Sequence, residues 1–283
     1  MSIEQKDLDM EIDCYYLNVM QDYLEKEGKL SNPTQGQLDR KAGKKLEFKT
    51  HIKYVIHAQL TNQEKWSNIE NNIEKIDEAF FHYDIKKIKK QSGDYFYNKI
   101  EKYIVRGLRL KDQMKYLHDN IGILESINNK DGGLDSYVFS MSPKEIIINF
   151  VTEHKLNCMG ISLICEYLKN VGVECAKPDT HIMRFLSKTR RGLLKKDEAH
   201  IPKKGKNKGK ILDTTWTDND KIKALEIIEN IGKVSGKTAS DIDRIIWSYC
   251  ADNHGEICTK TPKCNNCIVR EGCNHNKKLG VQF

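Results

Sequence analysis

Long hydrophobic runs are missing: no stretch of the 283 residues approaches the roughly 18 apolar residues in a row that a membrane-spanning helix needs. The opening "MSIEQKDLDM" has no apolar core behind a basic start, so no export signal is expected. Proline is scarce, five in all, and with it the usual interruption of helices. Regions of alternating strand pattern, internal repeats and long low-complexity tails are also lacking. Membrane, repeat and mainly β classes are thereby excluded as expectations. What remains is an all-α protein with 39% hydrophobic residues, enough for a core in one large or two moderate domains.

Apolar residues recur at three- and four-residue spacing over 10–26, 47–60, 67–80, 97–119, 143–153, 161–171, 181–187, 218–233 and 239–251, and each span predicts a helix. Breaks fall at "SNPTQG" (31–36), "NNKDGG" (128–133) and the Gly/Lys stretch 203–210. "TDND" before Lys221 and "SDID" before Arg244 read as helix N-caps.

The net charge of +7 points to a polyanionic partner. Residues 188–210 hold ten Lys and Arg against two Asp and Glu, a net +8, which set against the total leaves −1 for the remainder. This segment reads as a flexible, basic surface loop. Nine cysteines are present, and five of them, Cys14, Cys158, Cys165, Cys175 and Cys250, are scattered through helical sequence as reduced thiols would be. That usage predicts an intracellular, cytoplasmic protein and makes disulfides the weakest reading of the other four. Those four, Cys258, Cys264, Cys267 and Cys273, form one Cys-x5-Cys-x2-Cys-x5-Cys loop.

Between Lys155 and Leu186 runs "KLNCMGISLICEYLKNVGVECAKPDTHIMRFL". A helix ends near Leu156, a tight turn passes through Gly160 and an amphipathic helix follows. The N–H groups of that helix start could hold a phosphate oxygen. Pro178 then leaves Asp179 at or beside the N-cap of a further helix, where most Asp residues are plain caps.

The order of hairpin, "PDTHIMRFL" and four-cysteine loop resembles the helix-hairpin-helix DNA glycosylase superfamily, in its endonuclease III-like branch. "VIHAQLTN" (55–62) and "YFYNKIEKYI" (95–104) also resemble segments of that family, so the likeness spans roughly residues 47–275 in the family's order. The resemblance implies a helical barrel over 46–178 with the helix-hairpin-helix at 156–171, and a second lobe made of 1–45 and 179–283. DNA would bind in a cleft between the lobes. It implies a monomeric base-excision enzyme acting on double-stranded DNA, associated with the nucleoid if the source is bacterial.

By the same resemblance the cysteine loop would hold a [4Fe–4S] cluster. Zinc sites usually pair two short knuckles and only one is present here, while four thiolates in one loop suit a cuboidal cluster. Zinc, or no metal, stays open as an alternative. Asp179 matches the family's catalytic carboxylate, which stabilises the cation-like sugar or positions water as the glycosidic bond breaks. Cys158, Gly160 and Ser162 fall in the DNA-gripping hairpin. Gln59 matches the residue that fills the gap left by the flipped base, and one of Tyr95, Phe96 or Tyr97, with Tyr97 favoured, would wedge the opposite strand. Lys260, Lys263 and Arg270 would face phosphates. Tyr54, His57, Asn62 and Trp66, with Tyr15 and Tyr16, are candidates for reading the base.

Two departures from the family pattern stand out. Ser162 lies where bifunctional members carry the Schiff-base lysine, which predicts a monofunctional glycosylase; Lys169 and Lys177 are the alternatives for a lyase. Cys158, beside Asn157, replaces the hairpin's first glycine, and a non-catalytic DNA-binding protein of the same fold is the competing reading. Val55, where the adenine-excising branch has glutamate, and the ten residues after Cys273 count against mismatched adenine as the substrate.

Overall fold

The computed structural model describes residues 3–62, 64, 66–104, 109–202, 204 and 206–278. The chain forms two units, a central one of Thr34–Val173 and a flanking one of Met1–Pro33 with Glu174–Phe283. The flanking unit contributes α1 (Ile3–Lys26). The central unit then carries α2 (Gln35–Lys41), α3 (Phe48–Leu60), α4 (Trp66–Glu70), α5 (Ile73–Ala79), α6 (Ile85–Ile88) and α7 (Gly93–Ile100), followed by α8 (Leu110–Lys115), α9 (Leu117–Asn128), α10 (Gly133–Tyr137), α11 (Pro143–Val151) and α12 (Ile161–Asn170). The flanking unit resumes with α13 (Thr180–Leu186), α14 (Asp218–Ser235), α15 (Ala239–Cys250) and α16 (Asn274–Lys278). Among the described residues, strand is confined to β1 (Ala199–His200) and β2 (Leu212–Asp213), paired antiparallel. The all-α class is therefore observed, and no described helix is long and apolar enough to cross a membrane.

In the central unit α3 lies against α12. Ile52, Val55, Ile56 and Leu60 of α3 and Ile161, Ile164 and Leu168 of α12 are buried at helical spacing, each contributing about 1.5–3 kcal/mol. A polar chain crosses this interface. The Tyr167 hydroxyl meets His51 Nδ1 at 2.8 Å, and His51 Nε2 meets Asp135 Oδ1 at 3.0 Å. Asp135 is forked by Arg40, whose Nε also donates to Val171 O at 3.0 Å. The contact reaches α2, because a Cβ on Gly36 would lie 1.9 Å from Asn170 O. Thr34 closes a capping box at the start of α2 and donates to Lys169 O at 3.1 Å. For these reasons α2 folds with the central unit rather than with the N-terminal helix, and the unit runs from Thr34 to Val173 instead of 46 to 178.

The helix expected over 97–119 is instead α7, α8 and the first turn of α9, with residues 105–108 outside the described set. Gly93 explains the break: a Cβ at this position would lie 2.5 Å from Met114 O, so only a residue without one can pack here. An unbroken helix would put these two positions about 30 Å apart. The span 67–80 likewise divides into α4 and α5. After α5, Phe81, His82 and Tyr83 all have positive φ, an uncommon conformation for residues with a Cβ. Phe80 stacks on Phe96 at 4.9 Å, and the Tyr83 hydroxyl donates to Asp77 and meets His57 Nε2 at 2.7 Å, which fixes the turn.

The flanking unit packs α1 against α14 and α15 through Leu17, Met20, Leu24, Ile228, Ile242 and Tyr249. Thr217 and Thr238 are the caps of α14 and α15, so Ser240 and Asp241 of "SDID" fall inside the first turn and Asp243 lies just beyond it. The basic segment 188–210 is not wholly a solvated loop. Arg190 is buried against Glu198, Arg191 pairs with Asp13, and Lys196 pairs with Asp220. Lys204, Lys206, Lys208 and Lys210 are exposed, and Lys203 lies outside the described residues.

Burial holds His51 and His57 below the ordinary histidine range. A depressed folded pKa means that the unfolded chain binds more protons below about 6.5, so stability is lost as pH falls through that value. Burial raises Asp77 and Asp135, but hydrogen bonds from His57, Tyr83 and Lys53 to the first and from His51 and Arg40 to the second prevail, holding both well below the carboxylate range and extending the loss to lower pH. The urea midpoint is expected to be lower at pH 5.5 than at pH 7.5, and equal midpoints would mean that the folded imidazoles are charged.

Candidate functional site

Asp179 is positioned by α15. Ser240 and Asp243, one turn apart on that helix, are both buried. Ser240 Oγ donates to Cys175 O at 3.2 Å, and Asp243 Oδ1 accepts from Lys177 N at 2.8 Å. The chain then turns tightly around Pro178, with Asp179 N donating to Lys177 O at 2.7 Å. Asp179 caps α13: its Oδ1 accepts from His181 N at 2.8 Å and Ile182 N at 3.2 Å. The half-buried carboxylate is thus anchored through one oxygen, and Oδ2 has no hydrogen-bond partner among the described residues. His181 Nδ1 is buried without a partner among the described residues, and burial lowers the imidazole's pKa, which favours the neutral ring. Its ring meets Trp247 edge-on at 6.3 Å, and Trp247 meets His254 at 4.7 Å.

The cysteine loop is gripped at three places. Arg190 Nη2 donates to Thr259 O at 3.3 Å, just after Cys258, and Arg191 Nη1 donates to Gly272 O at 2.6 Å, just before Cys273. Between them the Tyr249 hydroxyl donates to Cys267 Sγ at 3.4 Å and accepts from Ile268 N at 3.3 Å. All four cysteines are free thiols, Cys258 buried and the others half-buried. A fifth, Cys250, hydrogen-bonds to Cys258: burial pushes Cys250 up, while that bond and the charges of Arg190 and Arg184 bring Cys258 down. Burial raises Cys264 and Cys267, and each also feels the charge of Cys258 and Cys273. Four soft thiolates on one clamped loop fit an iron–sulfur cluster as a donor set. As placed, no group of three His, Cys, Asp or Glu among the described residues could hold a metal ion. Lys260 and Lys263 are exposed, paired with Asp213 at 2.9 Å and Glu256 at 3.0 Å; Arg270 is half-buried.

In the hairpin, Asn120 clamps the turn from both sides of one residue, its Oδ1 accepting from Asn157 N at 2.6 Å and its Nδ2 donating to Asn157 O at 3.0 Å. Cys158 has φ +58°, the left-handed region that favours glycine. Gly160 caps α12 in an extended conformation, and Ser162 is half-buried in the first turn. Lys169 lies in the last turn of α12, about 12 Å along the axis from the hairpin.

The residues proposed around α3 separate into surface and core. Gln59 is fully buried, and neither side-chain amide atom has a partner among the described residues, an arrangement that does not offer it for filling a gap in DNA as placed. His57 is buried and committed to Tyr83, so it cannot read a base as placed. Phe96 is core, whereas Tyr95 and Tyr97 are half-buried. Tyr54 and Asn62 are half-buried; Trp66 and Tyr15 are exposed, and Tyr16 lies under Arg191. Arg190, Arg191, Ser240, Asp243 and Tyr249 were not foreseen. The sequence signal for Asp243 was a carboxylate set among Ile242, Ile245 and Ile246.

Comparison of the chain with protein-family models, with curated proteins and with solved structures gave no match.

Two stability changes of opposite sign are expected. Asp243→Ala leaves the Lys177 N–H without its partner and should cost about 1–3 kcal/mol in urea unfolding. Gln59→Met removes two unpaired buried amide atoms and should raise stability by about 1 kcal/mol. A loss of stability in the second variant would mean that the amide has a hydrogen-bond partner in solution.

Proposed function

We propose that the protein is a DNA base-excision glycosylase of the helix-hairpin-helix, endonuclease III-like kind, hydrolysing the N-glycosidic bond of a damaged or modified base in duplex DNA. The observation that carries the reading is Asp179, a carboxylate tied through Oδ1 to two amides with no hydrogen-bond partner on Oδ2 among the described residues. Held in this way it stabilises positive charge on the sugar, or orients a water, without having to be ordered at the moment of reaction. The neutral His181 beside it adds no competing positive charge. Ser162 at the start of α12 forms no imine, so water is the nucleophile and an abasic site the product. The hairpin amides of residues 158–162 and the exposed Lys260 and Lys263 supply sequence-independent contacts to phosphates; their surface ion pairs, each about 0–1 kcal/mol, exchange readily for a phosphate.

Cys258, Cys264, Cys267 and Cys273 would hold a [4Fe–4S] cluster that pins the loop carrying those lysines. A helical barrel for the central unit belongs to the same reading. Cys158 in a left-handed conformation favours a second reading, a DNA-binding protein of this fold without catalysis.

Asp179→Asn separates the two. It is expected to abolish release of the base from oligonucleotides carrying damaged bases and to leave duplex binding within a fewfold. A wild-type protein that binds DNA but releases no base from a broad panel would support the second reading. Anaerobically purified protein is expected to contain about four irons with matching acid-labile sulfide per chain, and a stoichiometric zinc content instead would remove the cluster from the proposal.

A further inference from the structure

We propose that the exposed side of α7, the turn that follows it and α8 in the central unit is a further DNA-contact surface, which holds duplex phosphates with lysines pre-placed on tyrosine rings. The proposal rests on the DNA-binding reading above but on none of its catalytic residues. Residues 86–115 contain ten Lys and Arg against three Asp and Glu, a net +7. This stretch is nearly as basic as the loop 188–210, at +8, and the sum over the whole chain conceals it because acidic residues elsewhere cancel it.

The structure shows how the charge is arranged. Lys99 Nζ lies 5.6 Å from the Tyr95 ring centroid, Lys102 Nζ 5.0 Å from that of Tyr103, Lys111 Nζ 5.9 Å from that of Tyr97 and Lys115 Nζ 5.7 Å from that of Tyr116. Lys75 approaches Tyr103 as well, at 5.6 Å. Lys111 links α8 to a ring on α7, so the array continues from one helix to the next. The four lysines are exposed and have no carboxylate in ion-pair contact among the described residues. Elsewhere on the segment, Lys87 and Lys89 are paired with Asp84 and Glu125, and Glu101 accepts from the Tyr97 hydroxyl.

Each ring restricts its lysine through a cation–π contact, which lowers the entropy lost when the ammonium meets an anion. The same geometry selects the type of nucleic acid. Single-strand binders leave aromatic faces free for bases to stack on. Here lysines stand over the ring faces, Tyr103 under two of them, so the surface reads backbone charge. That is the mode in which a protein tracks a duplex without regard to its sequence.

The test is the salt dependence of binding to an undamaged duplex by wild type and by the variant K99A/K102A/K111A/K115A, with K99Q/K102Q/K111Q/K115Q as a milder second variant. All four positions are exposed, and the circular dichroism melt checks the fold. Each lysine that neutralises a phosphate contributes about 0.9 to the slope of log affinity against log salt, so the slope should fall by up to about 3.6. An unchanged slope in a protein that still binds DNA overturns the surface and leaves the proposed function standing. A variant that loses affinity for single-stranded DNA or RNA but not for duplex overturns the choice of partner. If wild type binds duplex with the expected slope change but excises no base, the surface stands and the glycosylase reading falls.

Discussion

A buried hydroxyl or imidazole left without a hydrogen-bond partner is costly, and in the central unit that cost decides which helices meet. Tyr167 is completely buried on α12, and its hydroxyl is satisfied by His51 on α3, which in turn needs Asp135 on α10, which is held by Arg40 on α2. Leaving any member unpaired costs about 1–3 kcal/mol, comparable with the contribution of one buried apolar side chain, but unlike that contribution it depends on direction. Apolar packing alone would let α12 slide or rotate on α3 at modest cost. The polar chain admits one register. Since the hairpin turn leads directly into α12, its placement within the unit follows from that register and from the Asn120 clamp on Asn157.

The flanking unit applies the same rule through guanidinium groups. Arg190 and Arg191 are adjacent in sequence, yet they diverge to opposite ends of the cysteine loop, each with its own carboxylate, Glu198 and Asp13. Burying a guanidinium is costly unless its donors are all used, and here the donors left over from the carboxylates reach backbone oxygens of the loop. Gly272 is required because a side chain there would collide with Arg191 and Tyr16. The loop that carries Cys258 to Cys273 is thereby shaped by side chains outside it. Any metal it holds adds to an existing clamp.

Helical periodicity made the long elements legible. The spans at 47–60, 143–153, 161–171, 181–187, 218–233 and 239–251 agree with observed helices to within two residues at each end. The misplaced element, 97–119, failed because one glycine contact 21 residues distant overrides a locally helical pattern, and no local signal announces such a contact. The cap role of Asp179 was legible because proline and a following apolar run mark a helix start. Its support by Asp243 was not, since a carboxylate in a helix interior reads as solvated until the packing is known. Charge misled in the same way: Arg190 and Arg191 counted as loop charge in the sequence, yet both are structural, and the lysines of α7 and α8 vanished in a balanced sum.

Most buried polar side chains in both units are paired, including Asn120, Gln113, Asp243, Ser240 and Ser248. Against that background the exceptions carry information. Six buried side-chain atoms lack partners among the described residues, two of them in Gln59 and one in His181; Tyr137, Asn149 and Ser187 supply the rest. Among them Gln59 alone has both ends of its amide unpaired. A chain that satisfies Asn120 so thoroughly has the means to pair Gln59 or to replace it. Retaining the amide sacrifices stability, and such sacrifices are characteristic of positions whose partner arrives only in the working complex. Gln59 lies in "VIHAQLTN" and His181 in "PDTHIMRFL", two of the segments on which the resemblance to the glycosylase superfamily was drawn. In each unit, then, these unpaired atoms mark the places where burial leaves a hydrogen-bonding need unmet among the described residues.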